Sequence, residues 1–325
     1  MFVVSNDTLT FLFSLQCSDG VKLAAQSWQQ HQETHTNPTT RILCLHGWMD
    51  NCRSFARLGP ALASKLPAHV VALDFPGHGW SDPLPHATTV QAELAYYVAE
   101  TIRALDWPHC IIIGHSMGAA ATLWYAAAFP ERVSSFVLLD GAGPLTRDPL
   151  TVARQVRSHI TKRQEEEGQE KAKRVYPSLE KAIQVRCFTA KSYPGDQWLS
   201  TEASREMVER GTVSVEGGGV SFRHDPRLQW PSLVYTSEAQ VQGLYQSLKC
   251  PRALFLGQDG WPFTPELLQI VLDGLQPAVF EKLPGSHHLH ADPDSADALA
   301  EHVLKFIQDH LNDDPPAAPL PRSKH

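Results

Sequence analysis

The sequence predicts an α/β protein, a mostly parallel β-sheet with helices on both faces and a helical cap inserted after the sixth strand. Three observations point there. Short apolar runs alternate with stretches of helical period along most of the chain. The alternation breaks once, from about 144 to 248, where charged helical sequence such as RQVRSHITKRQEEEGQEKAKR takes the place of buried strands. Three of the apolar runs end in glycine-containing turns, at the carboxyl edge where parallel sheets hold their ligands.

Taken in order, strand patterns fall near 8–15 and 21–28, then at 41–46, 69–74, 110–114, 135–140, 252–257 and 278–283. The first pair is expected as an antiparallel edge and the rest as a parallel core. Helical stretches lie at about 54–66, 89–105, 117–128, 264–275 and 294–311. The start, MFVVSNDTLTFLFSL, has no basic leader and no small-residue cleavage site, so it reads as strand. The expected organisation is a core over 1–143 and 249–312, a cap over 144–248, and a proline-rich disordered tail over 313–325. Within the cap, TVSVEGGGVSFR is a hairpin candidate, and the EEE and KAKR runs read as solvated helix faces.

With 325 residues, 42% apolar and 19% charged, the chain can bury a full core. A net charge of −7 without a basic cluster argues against nucleic acid or an anionic membrane surface and favours small neutral or apolar ligands. No run reaches the length of a membrane span. The six cysteines show no CxxC and read as free thiols of a reducing compartment. The expected location is the cytoplasm. Ser323-Lys324-His325 offers the peroxisome as alternative, since it resembles a Ser-Lys-Leu address with the last residue changed.

The chemistry concentrates at IIIGHSMGAA (111–120), an apolar strand entering Gly114-His115-Ser116-Met117-Gly118 and then an alanine-rich helix. A serine on a sharp strand-to-helix turn needs small residues two places before and after it, and Gly114 and Gly118 supply both. The five-residue pattern arises by chance in roughly one chain in ten of this length, so its context carries the reading. RILCLHGWMDN (41–51) and HVVALDFPGHGWSD (69–82) supply that context, as two further buried strands running into loops in the correct order. The backbone amides of Trp48 and Met117 are the expected oxyanion donors.

A serine hydroxyl needs a base and an orienting carboxylate. LPGSHHLHADP (283–293) follows the last strand. Its His287 is the expected base, His288 the alternative, and His290 a packing residue. No carboxylate or cysteine pair matches these histidines as a metal site, and no metal or cofactor is expected. Two aspartates compete as the acid. Asp140 ends the sixth strand in FVLLDGAGP, and Asp259 follows the seventh in LFLGQDGWP, one place early for the usual spacing. Asp140 is preferred and Asp259 is the second candidate. Asp74 and Asp82 read as loop-fixing carboxylates, and Trp48, Trp80 and Trp261 as walls of a pocket.

These residues resemble the α/β-hydrolase superfamily over about 20–312, and within it the serine hydrolase-like proteins. The likeness rests on Leu45 to Asn51, Gly114 to Gly118, Leu138 to Asp140 and Gly285 to His290, with ERGT (209–212) and DPRL (225–228) in the cap. Met117 departs from the bulkier residues also seen there, which implies a change of pocket and not of mechanism. The resemblance implies the α/β-hydrolase fold, and it implies that the acid sits at Asp140, because the family's loop after the seventh strand often lacks a well-placed aspartate. The function expected is a serine hydrolase acting on a small ester or related acyl substrate through an acyl-enzyme. The rival is a ligand-binding protein that keeps the fold and turns over weakly or not at all.

Overall fold

The computed structural model describes residues 2–5, 8–30, 40–84, 90–167 and 173–311. The chain opens with β1 (Phe2–Ser5), β2 (Thr8–Gln16) and β3 (Lys22–Gln30), which run antiparallel to their neighbours. Alternation follows with β4 (Thr40–Leu45), α1 (Leu58–Lys65), β5 (Ala68–Leu73), α2 (Leu94–Ala104), β6 (Cys110–His115), α3 (Met117–Ala128) and β7 (Val133–Leu139). An inserted segment carries α4 (Val152–Glu166), β8 (Val175–Tyr176), α5 (Leu179–Ala190), α6 (Thr201–Gly211), β9 (Thr212–Ser214) and β10 (Val220–Phe222). The chain then continues through α7 (Glu238–Ser247), β11 (Arg252–Asp259), α8 (Pro265–Leu275), β12 (Val279–Ser286) and α9 (Pro293–Asp309).

The nine-stranded sheet has the order β1-β2-β3-β5-β4-β6-β7-β11-β12, parallel from β5 onward. Its central strands β4, β5, β6 and β7 are mostly apolar and buried along nearly their whole length because both faces are covered. Leu43 and Leu45 of β4 join one apolar cluster together with residues of α2 and α3, while Ile42 and Cys44 join the other together with residues of α1 and α9. All six cysteines are unpaired.

Element starts differ from the sequence expectation where turns precede helices. The stretch from 54 begins as a 3-10 turn, Cys52–Phe55, and α1 starts only at Leu58, which puts Pro60 in its first turn, where a missing N–H costs nothing. Likewise Gln91–Glu93 is a 3-10 turn ahead of α2, and residue 89 lies outside the described residues. The Gly-rich hairpin forms as β9 against β10, with β8 on the other side of β10. Val241 and Tyr245 of α7 belong to the same apolar cluster as α3, so α7 packs onto the sheet's own helices. Among the described residues no helix is long and apolar enough to cross a membrane. The expected tail and Ser323-Lys324-His325 lie outside the described residues.

Candidate active site

Ser116 stands between β6 and α3 with φ 51° and ψ −111°, a left-handed conformation that L residues rarely adopt. The neighbouring glycines are required by contact. A Cβ at Gly118 would lie 2.0 Å from the Leu45 carbonyl oxygen, and one at Gly114 would lie 2.5 Å from the Gly118 carbonyl oxygen. The strained turn is held by the Ser116 amide, which donates to the Leu139 carbonyl at 3.1 Å. Met117 is the first residue of α3, so its amide is among the helix's unpaired N-terminal donors. After β4, a turn closed by Asp50 N–H to the Gly47 carbonyl at 3.2 Å carries Trp48 and the left-handed Met49, φ 64°. The Trp48 amide takes no part in that closing bond.

His287 follows β12 on the loop toward α9, and its Nδ1–H donates to Asp140 Oδ2 at 2.5 Å. The proton is assigned to Nδ1 by this partner, which leaves Nε2 as the basic nitrogen. Asp140 is fully buried just past β7, with φ 43°. Its Oδ1 accepts the Gly257 amide at 2.8 Å and its Oδ2 the Trp261 amide at 2.7 Å, so one oxygen is fixed by the end of β11 and the other by the loop after it. Asp259 ends β11 beyond a register shift at Gly257, opposite Ser286, and its side chain is exposed. Among the described residues no hydrogen bond joins Asp259 to His287. Of the two candidate carboxylates, the structure brings only Asp140 to the imidazole.

A cavity of about 740 Å³ opens over this edge, lined by Trp48, Ser116, Met117, Asp140, Trp261, His287 and His288 together with apolar side chains such as Leu94, Phe263 and Val271. Trp48 and Trp261 therefore wall the pocket as expected. Trp80 does not: it is half exposed outside the cavity, where the Arg210 guanidinium lies 4.9 Å over its ring. Asp74 accepts the amides of Cys52 and Trp80 at 2.7 and 2.8 Å, and Asp82 accepts that of Lys22 at 3.1 Å, both loop-fixing roles.

Behind His287 the remaining histidines form a buried ring cluster, with His115 centred 4.6 Å from His287 and 4.2 Å from His290. His115 Nε2–H donates to the His287 carbonyl at 2.8 Å. Burial, reinforced by the neighbouring imidazoles, holds His115 well below the ordinary histidine range, so it is neutral. His290 is fully buried with neither ring nitrogen paired among the described residues, and burial pulls it down to about 3. His288 sits instead on Asp50: its Nε2–H donates to Asp50 Oδ2 at 3.2 Å. Among the described residues no group of three or more His, Cys, Asp or Glu is arranged to hold a metal ion.

Sequence reasoning missed Asp50, Arg186, Gln197 and Gly260. Arg186 of α5 donates from Nη2 to Asp50 Oδ1 at 2.6 Å. Burial favours the protonated carboxyl of Asp50, but His288 and the Arg186 guanidinium overrule it and hold Asp50 well below the usual carboxylate range. Gln197 Oε1 accepts the His287 amide at 2.9 Å, and its Nε2 donates to the Gly260 carbonyl at 2.7 Å. A Cβ at Gly260 would lie 2.1 Å from Asp140 Oδ1. Asp50 lay within the HGWMDN motif and Gly260 beside Asp259. Arg186 and Gln197 sit in charged or polar sequence of the inserted segment with no local signal.

Known proteins resemble this chain over most of its length. Residues 40–176 match the family described as alpha/beta hydrolase fold. The chain is 32% identical over 298 residues to a serine hydrolase-like protein of Danio rerio, covering 88% of this chain and 85% of that one. It is 26% identical over 265 residues to the pimeloyl-[acyl-carrier protein] methyl ester esterase of Chromobacterium violaceum, covering 81% and 93%. A hypothetical protein of Pseudomonas aeruginosa PAO1, solved by crystallography, superposes with a TM-score of 0.79 at 32% identity, covering 92% and 99%.

Proposed function

Because the chain belongs to the α/β-hydrolase superfamily, and within it to the serine hydrolase-like proteins, we propose that it is a serine hydrolase cleaving a small ester or related acyl substrate through Ser116, His287 and Asp140. The observation that carries this reading is the 2.5 Å bond from His287 to a buried Asp140 at the edge of a cavity that Ser116 also lines. Ser116 Oγ attacks the acyl carbon while His287 Nε2 takes its proton. The carbonyl oxygen, now an oxyanion, accepts from the amides of Trp48 and Met117. The intermediate collapses as His287 returns the proton to the leaving oxygen, and an alcohol departs from an acyl-enzyme. Water, deprotonated by His287, then attacks the Ser116 ester, and the acid leaves as the serine regains its proton.

In this reading residues 144–248 form the cap. Leu145, Tyr193, Trp230 and Tyr235 from that segment line the cavity, which excludes water and supplies apolar surface to the acyl chain. The esterase named above supports an ester as the bond cleaved.

The test is fluorophosphonate labelling with p-nitrophenyl ester turnover at two chain lengths. Label is expected on the wild type and lost in Ser116→Ala, with the longer ester preferred. Asp140→Asn should lower kcat by about 10⁴-fold through the wrong imidazole tautomer, whereas Asp259→Asn should stay within about threefold, in line with its exposure. A folded wild type with neither label nor turnover at either chain length would end the proposal.

A further inference from the structure

Two buried arginine–aspartate pairs join the inserted segment to the sheet, and they differ in what they touch. Arg210 of α6 donates from Nε to Asp74 Oδ2 at 2.8 Å, on the loop after β5. That carboxylate makes no hydrogen bond to the histidine loop among the described residues. Arg186 of α5 donates to Asp50, which stands two residues past Trp48 on the loop after β4, and the same carboxylate accepts from His288 on the loop after β12. The Arg186 and Asp50 side chains are 9% and 1% exposed, so each charge is held only because the other is present. Further contacts from the inserted segment reach the same histidine loop: Gln197 takes the His287 amide, and Ser286 Oγ–H donates to the Trp198 carbonyl at 2.7 Å.

We propose that Arg186 is a positioning residue for the hydrolytic site: through Asp50 and His288 it ties the loop carrying the Trp48 amide to the loop carrying His287, so that seating the cap and assembling the site are one event. Without the guanidinium, Asp50 is a buried, uncompensated carboxylate whose remaining neighbours, His115 and His288, are both held below the ordinary histidine range by burial, and the loops must shift to hydrate it. A displacement of about 1 Å at a catalytic group costs on the order of 100-fold in rate. The apolar walls that hold the acyl chain are made by other side chains, so KM should change little.

This inference rests on the serine-hydrolase reading, and the experiment separates the two. Wild type that is labelled at Ser116 and turns over p-nitrophenyl esters establishes the baseline; wild type that does neither overturns the reading beneath the inference. Arg186→Met, Arg186→Lys and Arg210→Met are then compared well below each variant's Tm. Arg186→Met is expected to lose about 100-fold in kcat with KM within about threefold. Arg186→Lys, which keeps a charge but not the fork, should recover about tenfold of that. Arg210→Met, an equally buried pair off the histidine loop, should keep kcat within about threefold. Should Arg186→Met fail to fold, Arg186→Lys decides: about a tenfold loss of kcat in a protein of wild-type Tm supports the proposal. Wild-type kcat in either Arg186 variant overturns it, as does an Arg210→Met loss as large as that of Arg186→Met.

Discussion

At Gly260 the absence of a side chain is what lets a carboxylate face its imidazole. A methyl group there would stand 2.1 Å from Asp140 Oδ1 and would push the carboxylate off the amides of Gly257 and Trp261. Gly260→Ala is therefore expected to lower kcat by about 100-fold or more, with fluorophosphonate labelling slowed in parallel. Stopped-assay kinetics on the purified variant check this, and a Gly260→Ala enzyme with wild-type kcat would mean that Asp140 is not constrained as described. The residue scale is also where local reading stopped short. The sequence preferred Asp140 and kept Asp259 as second candidate; in the structure Asp259 ends β11 exposed, beyond a register shift between Gly257 and Asp259. The shift itself is set by pairing with β12, and within LFLGQDGWP the only local sign against Asp259 is that it falls one place early.

At the scale of elements, the parts that read clearly were those whose requirements are local. The elbow needs a small residue on either side of Ser116, and α3 needs residues short enough to approach β4, so GHSMGAAA announces both. α3 stops where Phe129 leaves the helical region ahead of Pro130. α7 is secured by a capping box, in which Ser237 and Gln240 satisfy each other's backbone amides. Ser237→Ala should cost about 1 kcal/mol of stability, read as a lower urea midpoint with unchanged slope. Because Tyr245 OH donates to the Ala142 carbonyl at 2.7 Å beside the elbow's neighbouring loop, this helix belongs mechanically to the site's floor. No loss of stability in Ser237→Ala would show that the capping box contributes nothing in this context. How α5 and α6 seat could not be anticipated in the same way: their own periodicity is served equally by several placements, and Arg186 meets Asp50 across 136 residues of sequence.

At the scale of the whole molecule, the chain buries a set of neutral histidines. His78 and His290 are both drawn down to about 3, and His115 and His288 also lie below the ordinary range, with burial the leading cause in every case. The unfolded chain binds protons at these sites below about pH 6.5 while the folded chain does not. Stability is thus full above that pH and is lost as pH falls toward the folded values, by roughly 1.4 kcal/mol per pH unit for each such group. Among the described residues His290 has no hydrogen bond to lose. His290→Leu should therefore gain relative to wild type as pH falls, with a Tm difference more favourable to the variant at pH 5 than at pH 8. A difference that is constant with pH, or that runs the other way, would mean His290 is protonated in the folded state.

The sequence by itself determined the sheet, the sharp strand-to-helix turn at Ser116, the histidine loop and the presence of an inserted segment. Each depends on apolar period, glycine placement or chain order within some tens of residues, and short-range sterics enforce them wherever the chain is placed. Only the tertiary structure decided which aspartate meets His287, that Trp80 stacks under Arg210 instead of walling the pocket, and that Asp50 is held by an arginine of the inserted segment. Those outcomes depend on burial and on pairing between distant segments. The desolvation of a charge, and hence the partner it must find, exists only once the whole chain has closed around it.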